Sequence, residues 1–297
     1  MQQSSSPIVV LDSGLGGLTV VRALRQVLPD EDILYFGDTA RLPYGSKTAA
    51  TVTRFVEQII AFLLPCKPRH VVIACNTATA LALPAVRATF AGLPISGVVE
   101  PGARAAIVAA GSKSFPTIGI IATEATIKSK AYAQAIHRRR SLARLLFQAT
   151  PLLVPLIEEG RHIRDPLVKL ALQQYLDPLM KHGMDVLVLG CTHYPIYREL
   201  IEQILGTNVS VIDSAKQCAD DVALKLKTGG LVRAGKPIAP RSSEEQTGGL
   251  RCLVTDDPER FQRLAPRFLG VEIEPPEWVS PDELYSQNRT GALKMPA

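Results

Sequence analysis

Short apolar runs rich in β-branched residues alternate with longer amphipathic segments from the start of the chain to about residue 269. This alternation predicts an α/β fold, with mostly parallel sheets and helices on both faces. The predicted strands span residues 8–11, 33–36, 70–74, 95–98, 118–122, 186–189, 209–212 and 250–254. The predicted helices span residues 18–27, 48–64, 125–136, 167–182, 196–205, 217–227 and 258–268. Pro84 predicts a kink or a restart in the helix after residue 75.

Breaks in the pattern predict two domains. The Glu-Pro-Gly sequence at residues 100–102 ends a strand and turns the chain, and residues 213–214 mark the return. Domain 1 is therefore expected to be discontinuous, with residues 1–98 plus 214–273, and domain 2 to hold residues 99–213. Residues 229–249, rich in Gly, Pro, Ser and charge, predict a mobile loop, and residues 274–297 a poorly packed tail.

Length and composition narrow the class of protein. A chain of 297 residues can bury two cores, and 46% apolar with 21% charged residues is typical of soluble proteins. The sequence has neither the apolar segment of a signal peptide at its start nor an unbroken apolar run of membrane-spanning length. We therefore expect a cytoplasmic protein. The five cysteines show no CxxC spacing, which favours free thiols.

The net charge of +5 is modest, and part of it lies in the basic segment 137–144. A nucleic-acid site would usually add aromatic stacking residues or a recognisable motif, and this segment has neither. We interpret it as a solvated helix end and expect no nucleic-acid partner. The remaining positive charge favours small anionic ligands by electrostatic steering.

Two cysteines lie in matching settings. Cys75 follows the run Val-Val-Ile-Ala, Cys191 follows Val-Leu-Val-Leu-Gly, and small polar residues come after each. The carboxyl ends of strands in open α/β sheets are where ligands bind, so the pair predicts two thiols facing one cleft. A helix N-terminus also lowers the pKa of a thiol. Taken singly, each could be a buried structural cysteine, and Cys-x-His at residues 191–193 is too short to indicate zinc.

Two acid/base groups on opposite sides of one carbon can remove a proton from one face and return one to the other, which inverts a stereocentre. Charge that develops on the substrate would need hydrogen-bond donors, for which Ser13, Asn76, Thr77 and Thr192 are candidates. The Asp12 loop lacks the spacing of a phosphate-binding motif. It suits a zwitterion: Asp12 could accept a hydrogen bond from the ammonium group, and the helix N-terminus could bind the carboxylate.

The sequence resembles glutamate racemases, cofactor-independent enzymes that supply D-glutamate for bacterial peptidoglycan and hence for cell-wall biogenesis and cell shape. The resemblance extends over nearly the whole chain, and the motifs that carry it lie at or after the ends of predicted strands. They lie at residues 12–17 (DSGLGG), 36–41 (FGDTAR), 43–45 (PYG), 74–78 (ACNTA), 97–102 (GVVEPG) and 190–195 (GCTHYP).

The resemblance implies two flavodoxin-like domains with the active site in the cleft between them, and no cofactor or metal. It implies that Cys75 exchanges the α-proton of D-glutamate and Cys191 that of L-glutamate, assisted by Asp12 and His193 respectively. The implied substrate-binding residues are Asp12, Ser13, Tyr44, Gly45, Asn76, Thr77, Thr192 and His193. Asp38 and Glu158 match supporting positions, with Glu159 the alternative to Glu158. The family commonly forms dimers, which makes a homodimer an expectation here.

Three other functions compete with this hypothesis. A racemase for aspartate or another acidic compound would share the two cysteine motifs. An amidase could use Cys191 with His193, although neighbours two residues apart rarely meet with the right geometry. A non-catalytic amino-acid sensor could use the same two-domain cleft.

Overall fold

The computed structural model describes residues 6–230 and 248–286 and contains two parallel sheets. The first sheet has six strands in the order β10-β9-β2-β1-β3-β4. Its strands are β1 (Ile8–Asp12), β2 (Ile33–Gly37), β3 (His70–Ile73), β4 (Ile95–Gly97), β9 (Leu250–Val254) and β10 (Glu277–Trp278). The second sheet has the order β6-β5-β7-β8, with β5 (Thr117–Ala122), β6 (Arg144–Ala149), β7 (Val186–Gly190) and β8 (Ser210–Asp213).

Alternate residues of a strand point to opposite sides of the sheet. The first sheet has apolar residues on both sides, and helices cover both faces. Ile8 and Val10 pack in one apolar cluster, Val9 and Leu11 in another. The helices are α1 (Leu18–Val27), α2 (Ala49–Leu63), α3 (Asn76–Thr89), α4 (Val99–Ala109), α5 (Glu124–Ser129), α6 (Ala131–His137), α7 (Leu153–Glu158), α8 (Pro166–Met180), α9 (Arg198–Leu205), α10 (Ala215–Thr228), α11 (Pro258–Leu264), α12 (Pro266–Leu269) and α13 (Pro281–Ser286).

The strand order creates one crevice at the carboxyl ends of the strands in each sheet. In the first sheet the chain runs outward in opposite directions from β1 and β3, and in the second from β5 and β7. Ligands bind beyond the carboxyl ends of the strands at such switch points. The residues that follow β1, β3, β5 and β7 are therefore the ones placed for chemistry.

The predicted α/β class is confirmed, and all eight predicted strands are present within two residues of their expected ends. Strand β6 was missed because its sequence, Arg-Leu-Leu-Phe-Gln-Ala, holds no β-branched residue. It lies at the edge of its sheet, where its residues remain partly exposed. Because an edge strand is less buried, β6 lacks the run of apolar, β-branched residues on which the prediction depended.

The structure corrects local predictions in three places. Residues 100–102 do not form a turn but lie in the first turns of α4, where the N–H that Pro101 lacks would have had no acceptor within the helix. At Pro84 the helix does not restart, because α3 is assigned as one helix, and the alternative of a kink stays a prediction. The helix expected over residues 125–136 is divided into α5 and α6 at Lys130, which has a left-handed φ of 59°.

The expectation of a poorly packed tail is also wrong for residues 277–286. Strand β10 pairs with β9, and the side chains of Val279 and Leu284 are buried in the cluster that includes α2 and α3. Residues 287–297, and all of the expected mobile loop except residues 229, 230, 248 and 249, lie outside the described residues. The domain boundaries at 98/99 and 213/214 stay a prediction, although the strands divide between the sheets accordingly.

Among the described residues, Ala49–Cys66, which includes α2, is the one helical segment long and apolar enough to cross a membrane. One face of α2 is buried against the first sheet and α3, and it carries the buried polar residue Gln58. Gln58 accepts a hydrogen bond of 2.7 Å from Arg41. This packing is that of a core helix.

The buried contact of α13 generates a stability prediction. Leu284→Ala should lower the free energy of unfolding by about 2–4 kcal/mol, because it leaves a cavity at a fully buried position against α2. Leu224→Ala, at a position that is 62% exposed on α10, is the matched control and should change it by less than about 0.5 kcal/mol. Denaturant unfolding measures both; equal stability of the two variants would contradict this packing.

Candidate active site

The structure brings Cys75 and Cys191 to one cavity. Cys75 is the N-cap residue of α3, and Cys191 follows β7 in the other sheet. Both thiols are free and nearly buried, and both line a cavity of about 30 Å³. The other residues around it are Ser13, Leu42, Pro43, Tyr44, Gly45, Asn76, Thr77, Thr123, Val154, Glu158, Thr192 and His193. The prediction of two thiols facing one cleft is therefore confirmed.

The environment of Cys75 favours a protonated thiol. Burial, followed by the negative charge of Asp12, raises the pKa of Cys75 to about 12. The Ala78 N–H, 3.5 Å from the sulfur, and the Ser13 hydroxyl, 3.7 Å from it, act in the opposite direction but are weaker. The lowered pKa that the helix N-terminus predicts is thus wrong for this cysteine, because burial outweighs the helix end.

Cys191 has a different neighbour. His193 Nδ1 lies 3.8 Å from Cys191 Sγ, and His193 Nε2 lies 3.0 Å from Glu158 Oε1. Cys191 and His193 are only two residues apart, and they contact each other because the turn after β7 folds the imidazole back toward the sulfur. Glu159 is exposed and pairs with Arg161 at 3.2 Å, so Glu158 is the acidic residue at the site.

Polar contacts connect Cys191 to His193 and His193 to Glu158, with the charged imidazole in the middle. Burial alone would lower the pKa of His193, but the hydrogen bonds with Cys191 and Glu158 outweigh it and raise the pKa to about 10. Burial likewise works to raise the pKa of Glu158, and the contact with His193 reverses that and lowers it. An imidazolium between a carboxylate and a sulfur stabilises a thiolate at that sulfur.

Asp12 lies behind the cavity and does not line it. Its carboxylate accepts hydrogen bonds from the Gly14 N–H at 3.0 Å and from the Thr192 hydroxyl at 3.4 Å. Burial raises the pKa of Asp12, opposed by the charge of His193 and by backbone donors. Asp12 therefore joins the loop after β1 to the loop after β7, and its charge acts on Cys75 and on His193.

Polar side chains line the cavity near Cys75. Asn76 Oδ1 accepts a hydrogen bond of 2.7 Å from Tyr132, while its buried Nδ2 has no protein acceptor among the described residues. The Thr77 hydroxyl lies 2.8 Å from that of Thr123 and 3.2 Å from that of Thr126. Sequence reasoning missed both of these threonines. The Thr-Glu-Ala-Thr sequence directly after the predicted strand 118–122 was a signal that could have found them.

Tyr44 and Gly45 close the cavity from the loop after β2. The Tyr44 hydroxyl donates to Asp38, which is fully buried and is held by Arg41 Nε at 2.8 Å. Asp38 thus contacts Tyr44 and does not line the cavity. A Cβ on Gly45 would lie 2.7 Å from Thr123 Cβ, so only glycine permits this approach.

No group of three or more His, Cys, Asp or Glu side chains is arranged to hold a metal ion in the described part of the chain. A recess of about 400 Å³ adjoins the small cavity, and its lining combines leucine, valine and proline with polar and charged residues. Glu158 lines both spaces, and Arg260 lines the recess.

Gly16 generates a prediction because it lies where the two loops meet. A Cβ at residue 16 would lie 2.5 Å from His193 Nδ1 and would overlap Thr192. Gly16→Ala should therefore cost about 1–3 kcal/mol of stability and most of the activity. Gly14→Ala is the matched control, because its Cβ would meet Leu42 at an ordinary 3.5 Å. Thermal unfolding and activity check both variants; indifference to the change at Gly16 would contradict the close approach.

Comparison with known proteins identifies the family of the chain. The model of the Asp/Glu/Hydantoin racemase family matches residues 18–221. A glutamate racemase from Neisseria meningitidis is 43% identical over 274 residues, 92% of this chain and 96% of that protein. One from Chlorobaculum tepidum is 42% identical over 276 residues, 93% of this chain and 97% of that protein.

Solved structures give the same result. A glutamate racemase from Francisella tularensis, solved in complex with D-glutamate, superimposes with a TM-score of 0.82 at 36% identity. The match covers 93% of this chain and 98% of that one. A Thermus thermophilus glutamate racemase has a TM-score of 0.79 at 42% identity, over 94% of this chain and 98% of that one. The chain therefore belongs to the Asp/Glu/Hydantoin racemase family and is an isomerase of the glutamate racemase group.

Proposed function

We propose that this protein interconverts L- and D-glutamate by moving a proton at the α-carbon between two cysteines, without a cofactor. The observation that carries the proposal is that two free thiols, one from each sheet, line the same cavity. A carbon held between them can lose a proton on one face and gain one on the other. The product would supply D-glutamate for peptidoglycan in the cytoplasm.

The unequal surroundings of the two thiols suggest the order of steps. Cys191, beside the positively charged His193, is suited to be the thiolate that takes the α-proton of L-glutamate. Cys75, with a pKa raised to about 12, is suited to be the thiol that delivers a proton to the opposite face. The electron pair left by the first transfer resides on the α-carbon and carboxylate until the second. The reverse reaction starts from the opposite protonation states.

Hydrogen-bond donors around the cavity would stabilise that charge. Asn76 Nδ2 is buried and has no acceptor within residues 6–230 and 248–286, and Ser13, Thr77 and Thr192 bring hydroxyl groups to the same space. Donors that are already oriented in a dry site are worth more than in water. We assign them to the substrate carboxylates. Asp12 acts through Thr192 and by its charge, and Asp38 through Tyr44.

The size of the cavity bears on substrate entry. A space of about 30 Å³ has room for about two water molecules, far less than a glutamate needs. Glutamate would therefore extend into the adjoining recess, which shares Val154 and Glu158 with the cavity, or would displace Tyr44 and the start of α7, which carries Val154. Closure around the bound substrate would then exclude water from the carbanion.

The contact between Cys191 and His193 favours one second candidate, an amidase with a Cys-His nucleophile. That mechanism would form an acyl-thiol at Cys191 and would leave Cys75 without a role. Mass spectrometry of protein quenched during turnover of a glutamate amide distinguishes the two. An adduct at Cys191 would support the amidase, and inversion of glutamate without an adduct supports the racemase.

Solvent exchange tests the two-thiol proposal. In heavy water, either enantiomer should give product with deuterium at the α-carbon, because the returning proton comes from a thiol that exchanges with solvent. Cys75→Ala and Cys191→Ala should each lower inversion by about a hundredfold or more. Cys66→Ala is the matched control, because this cysteine is partly exposed and does not line the cavity.

The single variants should also separate the half-reactions. Cys191→Ala should still exchange the α-proton of D-glutamate, and Cys75→Ala that of L-glutamate, as measured by proton NMR. Substantial inversion by either variant, or inversion by the unaltered protein without solvent deuterium, would rule out the two-thiol mechanism. Turnover of glutamate compared with aspartate by the same protein checks the substrate.

A further inference from the structure

Two arginines from the segment 258–269 contact the end of helix α7. Arg267 donates through Nη1 to the Ile157 carbonyl and through Nη2 to the Arg161 carbonyl, each at 3.0 Å. Arg260 Nη2 donates to the Glu158 carbonyl at 3.3 Å. This segment follows β9 of the first sheet, whereas α7 follows β6 of the second. The contacts therefore cross from one sheet's helices to the other's.

The acceptors are the carbonyl groups at the C-terminal end of α7 and just beyond it. The last carbonyls of a helix have no donor within the helix, and positive side chains interact favourably with them. Helix α7 has only six residues, too few to be stable by itself. Packing and these arginine donors must therefore fix its end, where Glu158 lies.

Phe268, the residue after Arg267, contacts His193, which is the partner of Glu158. The ring of Phe268 is buried and meets the His193 ring edge-on, with the centroids 5.5 Å apart. Adjacent residues of α12 thus contact the end of the helix that carries Glu158 and the imidazole that Glu158 contacts. Ser13 and Ala78, the neighbours of Cys75, come from the loop after β1 and from the first turn of α3.

We infer that Arg267, assisted by Arg260 and Phe268, is a positioning residue that holds the end of α7 so that Glu158 stays against His193 beside Cys191. The catalytic consequence rests on the proposed function, because it concerns the thiol assigned to L-glutamate. The positional claim itself concerns only the Glu158–His193 contact. Loss of Arg267 should therefore affect the Cys191 half of the site and leave the Cys75 half intact.

The charged groups that face His193 determine what should change. Cys191 and Glu158 contact it, Asp12 acts on it by charge, Arg260 acts on Glu158, and Phe268 is neutral. If Glu158 moves away, His193 loses a negative partner while it remains buried. Its pKa should then fall from about 10 toward or below 6.5, the ordinary value for histidine.

The experiment uses Arg267→Met, which keeps an apolar stem, and Arg267→Lys, which keeps the charge but loses the two-pronged donor. Arg263→Met, at an exposed position of α11, is the matched control. Histidine NMR titration should give a pKa of His193 that is lower by about one pH unit or more in Arg267→Met than in the unaltered protein. The His193 signal is assigned by its loss in His193→Gln. The pKa in Arg267→Lys should lie between these two values, and Arg263→Met should leave it unchanged.

Kinetics supply a second readout. In Arg267→Met, kcat should fall about tenfold or more while KM stays close to its original value, and the basic limb of the pH–rate profile should move to lower pH. Exchange of the L-glutamate α-proton in heavy water should slow, and that of D-glutamate should persist. Arg263→Met should match the unaltered protein in each respect.

An unchanged His193 titration in folded Arg267→Met would overturn the inference, as would equal slowing of both exchange reactions. If Arg267→Met does not fold, Arg267→Lys and Phe268→Leu carry the same test. Should the unaltered protein not racemise glutamate, the proposed function fails. The NMR titration would still decide whether Arg267 positions Glu158, so the two failures are distinguishable.

Discussion

The close approach of the loop after β1 to the loop after β7 is the constraint on which the site depends. Gly16 lets the backbone of one loop come within contact distance of Thr192 and His193 in the other. The Thr192 hydroxyl and the Asp12 carboxylate then join the loops by a hydrogen bond of 3.4 Å. Because each loop leaves a strand at a switch point of its own sheet, this contact brings the thiols from the two sheets to one cavity.

Electrostatics make the two halves of the cavity unequal. Cys75 is buried near the carboxylate of Asp12, which opposes loss of its proton. Cys191 lies beside an imidazole whose positive charge Glu158 stabilises. Proton transfer in either direction starts with a thiol on one side of the substrate and a thiolate on the other. The raised pKa of Cys75 and the cation beside Cys191 favour that starting arrangement. Transfer across the substrate then reverses the two protonation states.

Residues that follow a strand could be found from the sequence, because parallel strands deliver their carboxyl ends to one edge. Cys75, Cys191, Asn76, Thr77 and Ser13 were found in this way. Arg267 and Phe268 could not be, since nothing local relates an arginine near the end of the chain to a helix about 110 residues earlier. The pKa direction of Cys75 was wrong for a similar reason: its helix position is local, but its burial and the charge of Asp12 are tertiary. Strand β10 and helix α13 were missed because their short sequences carry little pattern without the cluster they complete.

A crystal structure with glutamate bound measures the central claim most directly, because it gives the distance from each sulfur to the α-carbon. This account predicts both sulfurs at about 3–4 Å from that carbon, on opposite faces, a spacing near that of reacting atoms before transfer. It also predicts that Asn76 Nδ2 donates to a substrate oxygen. Glutamate bound with either sulfur remote from the α-carbon, or with both on the same face, would contradict it.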